Sequence, residues 1–122
     1  MSYFTDQIDF ADKFCDLIRD HAEWSQATFG ADDVRGPLGP LRHLEKEARE
    51  AQLAVQSAEG VDRFMKIREE LAECFLLLLD AARRAKVKPT QLVECAMAKL
   101  TLNKMREWPS QPLAGEAIEH VR

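Results

Sequence analysis

Apolar residues recur every three or four positions along most of the chain, and no stretch alternates apolar and polar residues with period two. The first spacing paints one stripe of an α-helix, whereas a half-buried strand needs the second. The pattern therefore predicts an all-α fold: a four-helix bundle, completed by oligomerisation. Phe10, Phe14, Leu17 and Ile18 set a first helix over about 5–29, closed by Gly30. The segment ADDVRGPLGP reads as a loop from its glycines and prolines. A second helix is expected from Leu41 to about Ser57, and a third, capped by Asp62, to about Lys86. A fourth starts at Thr90 and ends before Pro109, because proline disfavours helical geometry in the residue ahead of it. Residues 1–109 form one helical domain on this reading, and 110–122 a tail that is either a short helix or irregular.

Size and charge narrow the function classes. A chain of 122 residues fits one domain. A net charge of −4 argues against broad nucleic-acid binding, which needs a basic surface to neutralise phosphates. The N-terminal MSYFTDQIDF lacks the basic and apolar regions of a signal peptide, and the apolar run Cys74–Leu79 is too short to span a bilayer. A cytoplasmic protein, with no membrane partner, is expected. Cys15, Cys74 and Cys95 lie far apart on helical patterns and read as reduced core thiols. The run CFLLLL is apolar nearly all round, as in a helix covered on most sides. It is either the central helix of one chain or the seat of a partner subunit.

The acids are the informative residues. An ExxE pair is most often a plain solvated face, but helix geometry argues otherwise here. At about 100° per residue, His43, Glu47, Glu50 and Ala54 fall in one stripe beside the apolar Leu44, Ala48, Ala51 and Val55. Arg42, Glu45, Arg49, Gln52 and Gln56 already occupy a wet face. On the third helix Glu70, Glu73, Leu77 and Asp80 share an arc beside Ile67, Leu71, Cys74 and Leu78. Two such helices packed antiparallel can set four carboxylates face to face, an arrangement that repels unless a cation joins it. Oxygen-only donors suit Mg²⁺ or Mn²⁺. A di-iron bundle needs Glu-x-x-His, and zinc needs clustered Cys or His; neither spacing occurs.

The fourth helix carries the opposite charge. Lys99, Asn103 and Arg106 lie at i, i+4 and i+7. They can grip a polyphosphate, or they can be a basic edge snorkelling at a helix C-terminus. Trp24 and Phe29 can stack on a base or simply pack in a core. His43, one turn before Glu47, either lines a pocket or caps the acid stripe. His21 and His120 carry no signal, and Trp108 reads as packing.

Taken in order, Trp24 with Thr28-Phe29-Gly30, GPLGPLRHLEKEAREA, EELAECFLLLLDAARRA and AKLTLNKMREWP resemble the MazG-like all-α NTP pyrophosphohydrolases. The nearest branch is the dATP/dGTP pyrophosphohydrolases, phage MazZ enzymes included. The family's metal signature is EExxE followed by ExxD. Lys46 replaces its first Glu and Glu73 its final Asp, the latter keeping the carboxylate on an arm one methylene longer. The resemblance implies a homodimeric or homotetrameric hydrolase that cleaves (d)NTP, dGTP or dATP above all, to (d)NMP and pyrophosphate. It implies Mg²⁺ or Mn²⁺ on Glu47, Glu50, Glu70 and Glu73, the same acids being catalytic. Lys99 and Asn103 match the phosphate-contacting positions, with Arg106 added. Trp24, Phe29 and His43 are the base-side candidates, beside a pocket shaped by the loop 36–40. A phage protein would act in the host cytoplasm. The competing readings are a broad or pyrimidine-specific house-cleaning pyrophosphatase and a non-enzymatic helical dimerisation module.

Overall fold

A computed structural model describes residues 7–57, 59–110 and 114–121, with side chains described from Asp9 onward. All regular structure among them is helical: α1 (Gln7–Phe29), α2 (Asp32–Arg35), α3 (Leu38–Ser57), α4 (Gly60–Arg84) and α5 (Pro89–Met105). The first residues of the expected first helix, Thr5 and Asp6, lie outside the described residues. No described helix is long and apolar enough to cross a membrane.

The helix ends depart from expectation for local reasons. The presumed loop contains a one-turn helix, α2, in which Val34 and Arg35 donate to the Ala31 carbonyl. α3 starts at Leu38 rather than Leu41. Pro40 lies in its first turn, where a backbone N–H would have no helical partner anyway, and its ring is buried. The N-cap of α4 is Glu59, not Asp62, which sits in the first turn where its charge suits the helix dipole. Lys88 rather than Thr90 precedes α5, with Pro89 at the first helical position and the Gln91 side chain accepting from the Lys88 N–H at 2.9 Å. Gly30 ends α1 at φ +112°, a conformation open to glycine and few others.

The chain divides into two compact units, Met1–Val87 and Lys88–Arg122. In the first, α3 packs chiefly on α4, with smaller contacts of α1 and α2 on α4. The connection is two residues long, and Arg63 reaches back to the Val55 carbonyl at 3.1 Å, so α3 and α4 form an antiparallel hairpin. Its buried apolar residues are Ala51 and Ala54 of α3 and Leu77, Leu79 and Ala81 of α4. Small residues at the α3 contact let the two backbones approach closely.

The expected apolar faces are thereby rotated. Val55, Leu71 and Leu78 are exposed, and so is Phe75 within the apolar run. Cys15 and Cys95 are also exposed, and Cys74 is only half-buried, so the expectation of three core thiols fails for two of them. Phe14 of α1 covers Phe75 in part, the rings standing 6.2 Å apart. In the second unit α5 buries no residue fully, and Val93, Met97, Leu100 and Met105 are exposed.

Candidate functional site

The acid stripes face each other across the hairpin, but unequally. At about 100° per residue, Glu47 lies between Ala51 and Ala54 on the face that α3 turns to α4. Its side chain is 17% exposed, and that of Glu70 is 12% exposed. The two carboxyls are within hydrogen-bonding reach of one another. Glu73 is half-buried beside them. Glu50 does not border the core as expected. It is one step further round α3 and exposed, and its charge is felt at Lys66.

A lysine and a histidine of the same helices tend these acids. Lys66 Nζ lies 3.1 Å from Glu70 Oε1, and His43 Nε2 lies 3.2 Å from Glu47 Oε1. The Lys66 hydrogen bond, aided by that to Glu47 against partial burial, holds the Glu70 carboxyl below its ordinary range, and the same pair raises Lys66. Cys74 shares this surface. Burial, then the charges of Glu47, Glu70 and Glu73, push its thiol up.

Among the described residues no three acid, histidine or cysteine side chains are drawn tightly enough together to hold a metal ion by themselves. The donor chemistry nonetheless fits a hard divalent cation: carboxylate oxygens, two of them adjacent across the hairpin, with a third close by. Mg²⁺ commonly takes only one or two protein carboxylates and completes its shell with water and substrate phosphate. Glu47 and Glu70 are the residues that could hold such an ion, with Glu73 flanking.

Two turns beyond Glu73 on α4 lies a second acid centre that sequence reasoning missed. Asp80 is buried and accepts from Ser25 Oγ at 2.7 Å, from Arg84 Nε at 3.3 Å, and from Arg83. Arg84, whose side chain is wholly buried, also donates to Ser25 Oγ at 3.0 Å and to the Gly30 carbonyl at 2.9 Å. Arg83 Nε reaches both Asp32 carboxylate oxygens at 3.1 Å. Burial opposes ionisation of Asp80, but Ser25 and the two guanidiniums outweigh it and hold the carboxyl below the usual range. These bonds pin the end of α1 and the α2 turn onto α4. The available signal was Asp80 and Arg84 four residues apart, on the arc of Leu77 and Ala81, within the most apolar stretch of the chain.

That clamp positions the aromatic candidates. Trp24 and Phe29 meet edge-to-face at 5.3 Å, and both are about half exposed, 56% and 49%. His21 stacks on Trp24 at 6.3 Å, and the Arg35 guanidinium lies 5.7 Å from the Phe29 ring centre. A side chain at Gly39 would meet Arg35 Nη2 at 3.0 Å, so this glycine leaves room for the guanidinium. Burial lowers the His21 pKa, with Asp80 and Glu73 pulling the other way. The aromatic group therefore lies on the Glu73–Asp80 side of α4. His43 belongs with Glu47 rather than with the rings.

In the second unit Lys99, Asn103 and Arg106 line one cavity of about 330 Å³, together with Trp108, Ile118, Glu119 and His120. The expected donor stripe is thus gathered in one place, and the tail returns to meet it.

A family model described as dATP/dGTP pyrophosphohydrolase matches residues 17–122. The chain belongs to the dATP/dGTP pyrophosphohydrolase family. The match takes in α3, α4, α5 and the returning tail, and its description is that of an enzyme. The Eaa protein of Salmonella phage P22 is 42% identical over 106 residues, 87% of this chain but 29% of that protein. The chain thus spans less than a third of the length of this relative, and it has a phage homologue. No solved structure matches.

Proposed function

We propose that the chain hydrolyses dATP and dGTP to the nucleoside monophosphate and pyrophosphate with Mg²⁺ or Mn²⁺. The observation that supports this most is the pairing of two half-buried carboxylates, Glu47 and Glu70, across the α3–α4 hairpin of a pyrophosphohydrolase-family chain. Like charges gathered without enough counter-charge are costly, and a divalent cation relieves that cost. When bound, such an ion neutralises phosphate charge and lowers the pKa of a water.

Glu47, Glu70, Glu73 and Glu50 hold the ion's side of the substrate, and one of these carboxylates accepts a proton from the attacking water. Water adds to the α-phosphorus, the bond from that phosphorus to the α–β bridging oxygen breaks, and pyrophosphate leaves with the bond's electrons. Lys99, Asn103 and Arg106 bind phosphate oxygens. Trp24 and Phe29 offer a face to the base, a purine giving the larger stacking area.

Purified protein incubated with each common NTP and dNTP, with products resolved by phosphorus NMR, tests the reaction. Pyrophosphate from dATP and dGTP is expected. Free phosphate, or no turnover of any nucleotide, overturns the proposal. A dCTP or dUTP kcat/KM tenfold above both purines overturns the base preference alone.

We further propose a homodimer or homotetramer. Leu71, Phe75 and Leu78 form an exposed apolar side of α4, a surface of the kind that subunits cover. Sedimentation at micromolar concentration should give a mass of at least twice the 13.9 kDa chain, and a monomer contradicts it.

A further inference from the structure

The cavity of the second unit has a hydrogen-bonding bias. The Asn103 side-chain oxygen accepts from Arg106 Nη1 at 3.1 Å, and the Asn103 backbone carbonyl accepts from Trp108 Nε1 at 2.6 Å and from the Arg106 N–H at 3.2 Å. The nearest acceptors are thus consumed within the wall. What remains to face the cavity is chiefly donors: the Lys99 ammonium, the Asn103 amide NH₂, the rest of the Arg106 guanidinium and the His120 ring. Among the described residues Glu119 is the single acid in the lining, and it is exposed. A space of about 330 Å³ lies at the small end of ligand pockets. Such a donor-rich, net-positive cavity suits a small multivalent oxyanion.

His120 is held in place rather than adrift. The Val121 N–H donates to the Glu107 carbonyl at 2.6 Å, tying the tail back past the end of α5. The His120 ring then stands edge-on to Trp108 at 5.9 Å, and Trp108 is itself fixed by its bond to Asn103. From sequence, His120 carried no signal, because twelve residues separate it from Trp108 and no helical spacing links the two.

We propose that the returning C-terminal segment completes a phosphate-binding site: His120, with Lys99, Asn103 and Arg106, binds the pyrophosphate portion of the triphosphate, and Trp108 forms the wall that orients His120. This rests on the reading of Lys99, Asn103 and Arg106 as phosphate donors. It adds a residue from the tail that neither that reading nor the family description includes.

The test uses the full chain and inorganic pyrophosphate without divalent metal, so that the carboxylates of the first unit do not contribute. Histidine-ring and tryptophan-indole NMR signals are followed during titration, and His120→Gln and Trp108→Phe assign them. Pyrophosphate should move the His120 and Trp108 signals while leaving those of His43 in place. His120→Gln should weaken pyrophosphate binding and raise KM for dGTP by about tenfold, the worth of one charge-assisted hydrogen bond, with kcat nearly unchanged. Glu119→Gln should tighten pyrophosphate binding. If the titration moves neither His120 nor Trp108, or if His120→Gln leaves both pyrophosphate affinity and KM unaltered, the proposal is wrong. Pyrophosphate binding here by a protein that turns over no nucleotide would uphold the site and defeat the reaction. Turnover without those shifts would do the reverse.

Discussion

Helix α4 carries carboxylates at two levels that differ in how they are neutralised. At its C-terminal end Asp80 sits among two guanidiniums and a serine hydroxyl, all three of which donate to its Oδ1, and the side chain is 8% exposed. Three turns earlier Glu70 and Glu47 approach each other with only one lysine, itself 55% exposed, and one histidine for company. The first arrangement is matched in charge: two guanidiniums surround the one carboxylate, and together they hold backbone in place. The second is short of positive charge and reachable from solvent, which is the condition of a group that completes itself with something else. Closely similar chemistry on one helix is thus balanced by counter-charge at one end and left short of it at the other.

The comparison breaks most visibly at the structural end. Arg84→Ala takes one of three donors from Asp80 and removes the donor to three backbone carbonyls, those of Ser25, Gly30 and Ala31, and removing one partner of a buried pair costs about 3–5 kcal/mol. Urea unfolding should report a loss of that size, a large share of the stability of a domain this small. An effect below about 1 kcal/mol would mean that the clamp is not a structural device.

The opposite end should fail in function while keeping its fold. Glu47→Gln or Glu70→Gln is expected to cut pyrophosphate release by more than 100-fold, given that even residues one layer outside a metal cost roughly 10–100-fold. Melting temperature should stay close to that of wild type, because glutamine keeps the shape of the side chain and the packing of the hairpin is untouched. Near-native rates in both variants would show the site to be elsewhere.

What was legible in advance follows the reach of each signal. The four long helices and the two ExxE stripes are written in spacings of three and four, which helix geometry converts directly into faces. Which of those faces meet is not so written. Ala51 and Ala54 being the buried residues of α3 turns that helix just enough to bring Glu47 inward and leave Glu50 outside. The clamp joins Ser25 to Asp80 across 55 residues, and no local pattern carries such a pairing. The tail cavity was invisible for the same reason.

Acid separates the two levels further. Asp80 titrates below the ordinary carboxylate value, so its contribution is complete above that value and is lost as pH falls through the lower folded-state value. Acid unfolding of wild type should therefore be steeper below the usual aspartate range than that of Asp80→Asn, which starts less stable but has no such proton to take up. Parallel curves would contradict the assignment.

The smallest effect concerns the end of α4. Lys86 takes a left-handed conformation at φ +66°, with Val87 N–H bonded to the Ala82 carbonyl at 2.8 Å. Glycine is the residue such a helix terminus favours. Lys86→Gly should raise stability by about 0.5–1 kcal/mol, since its exposed pair with Asp33 contributes little. Destabilisation would assign that pair a larger part.

The central claim, that Glu47 and Glu70 form the metal-binding end of the molecule, is tested most directly by thermal melting under Mn²⁺ titration. Wild type, Glu70→Gln and the solvent-facing control Glu45→Gln are compared. A ligand that binds only the folded state raises the melting temperature with the logarithm of its concentration once that exceeds Kd. Wild type and Glu45→Gln should rise together as Mn²⁺ increases while Glu70→Gln stays flat. Equal rises in all three proteins, or no rise in wild type, would contradict the account.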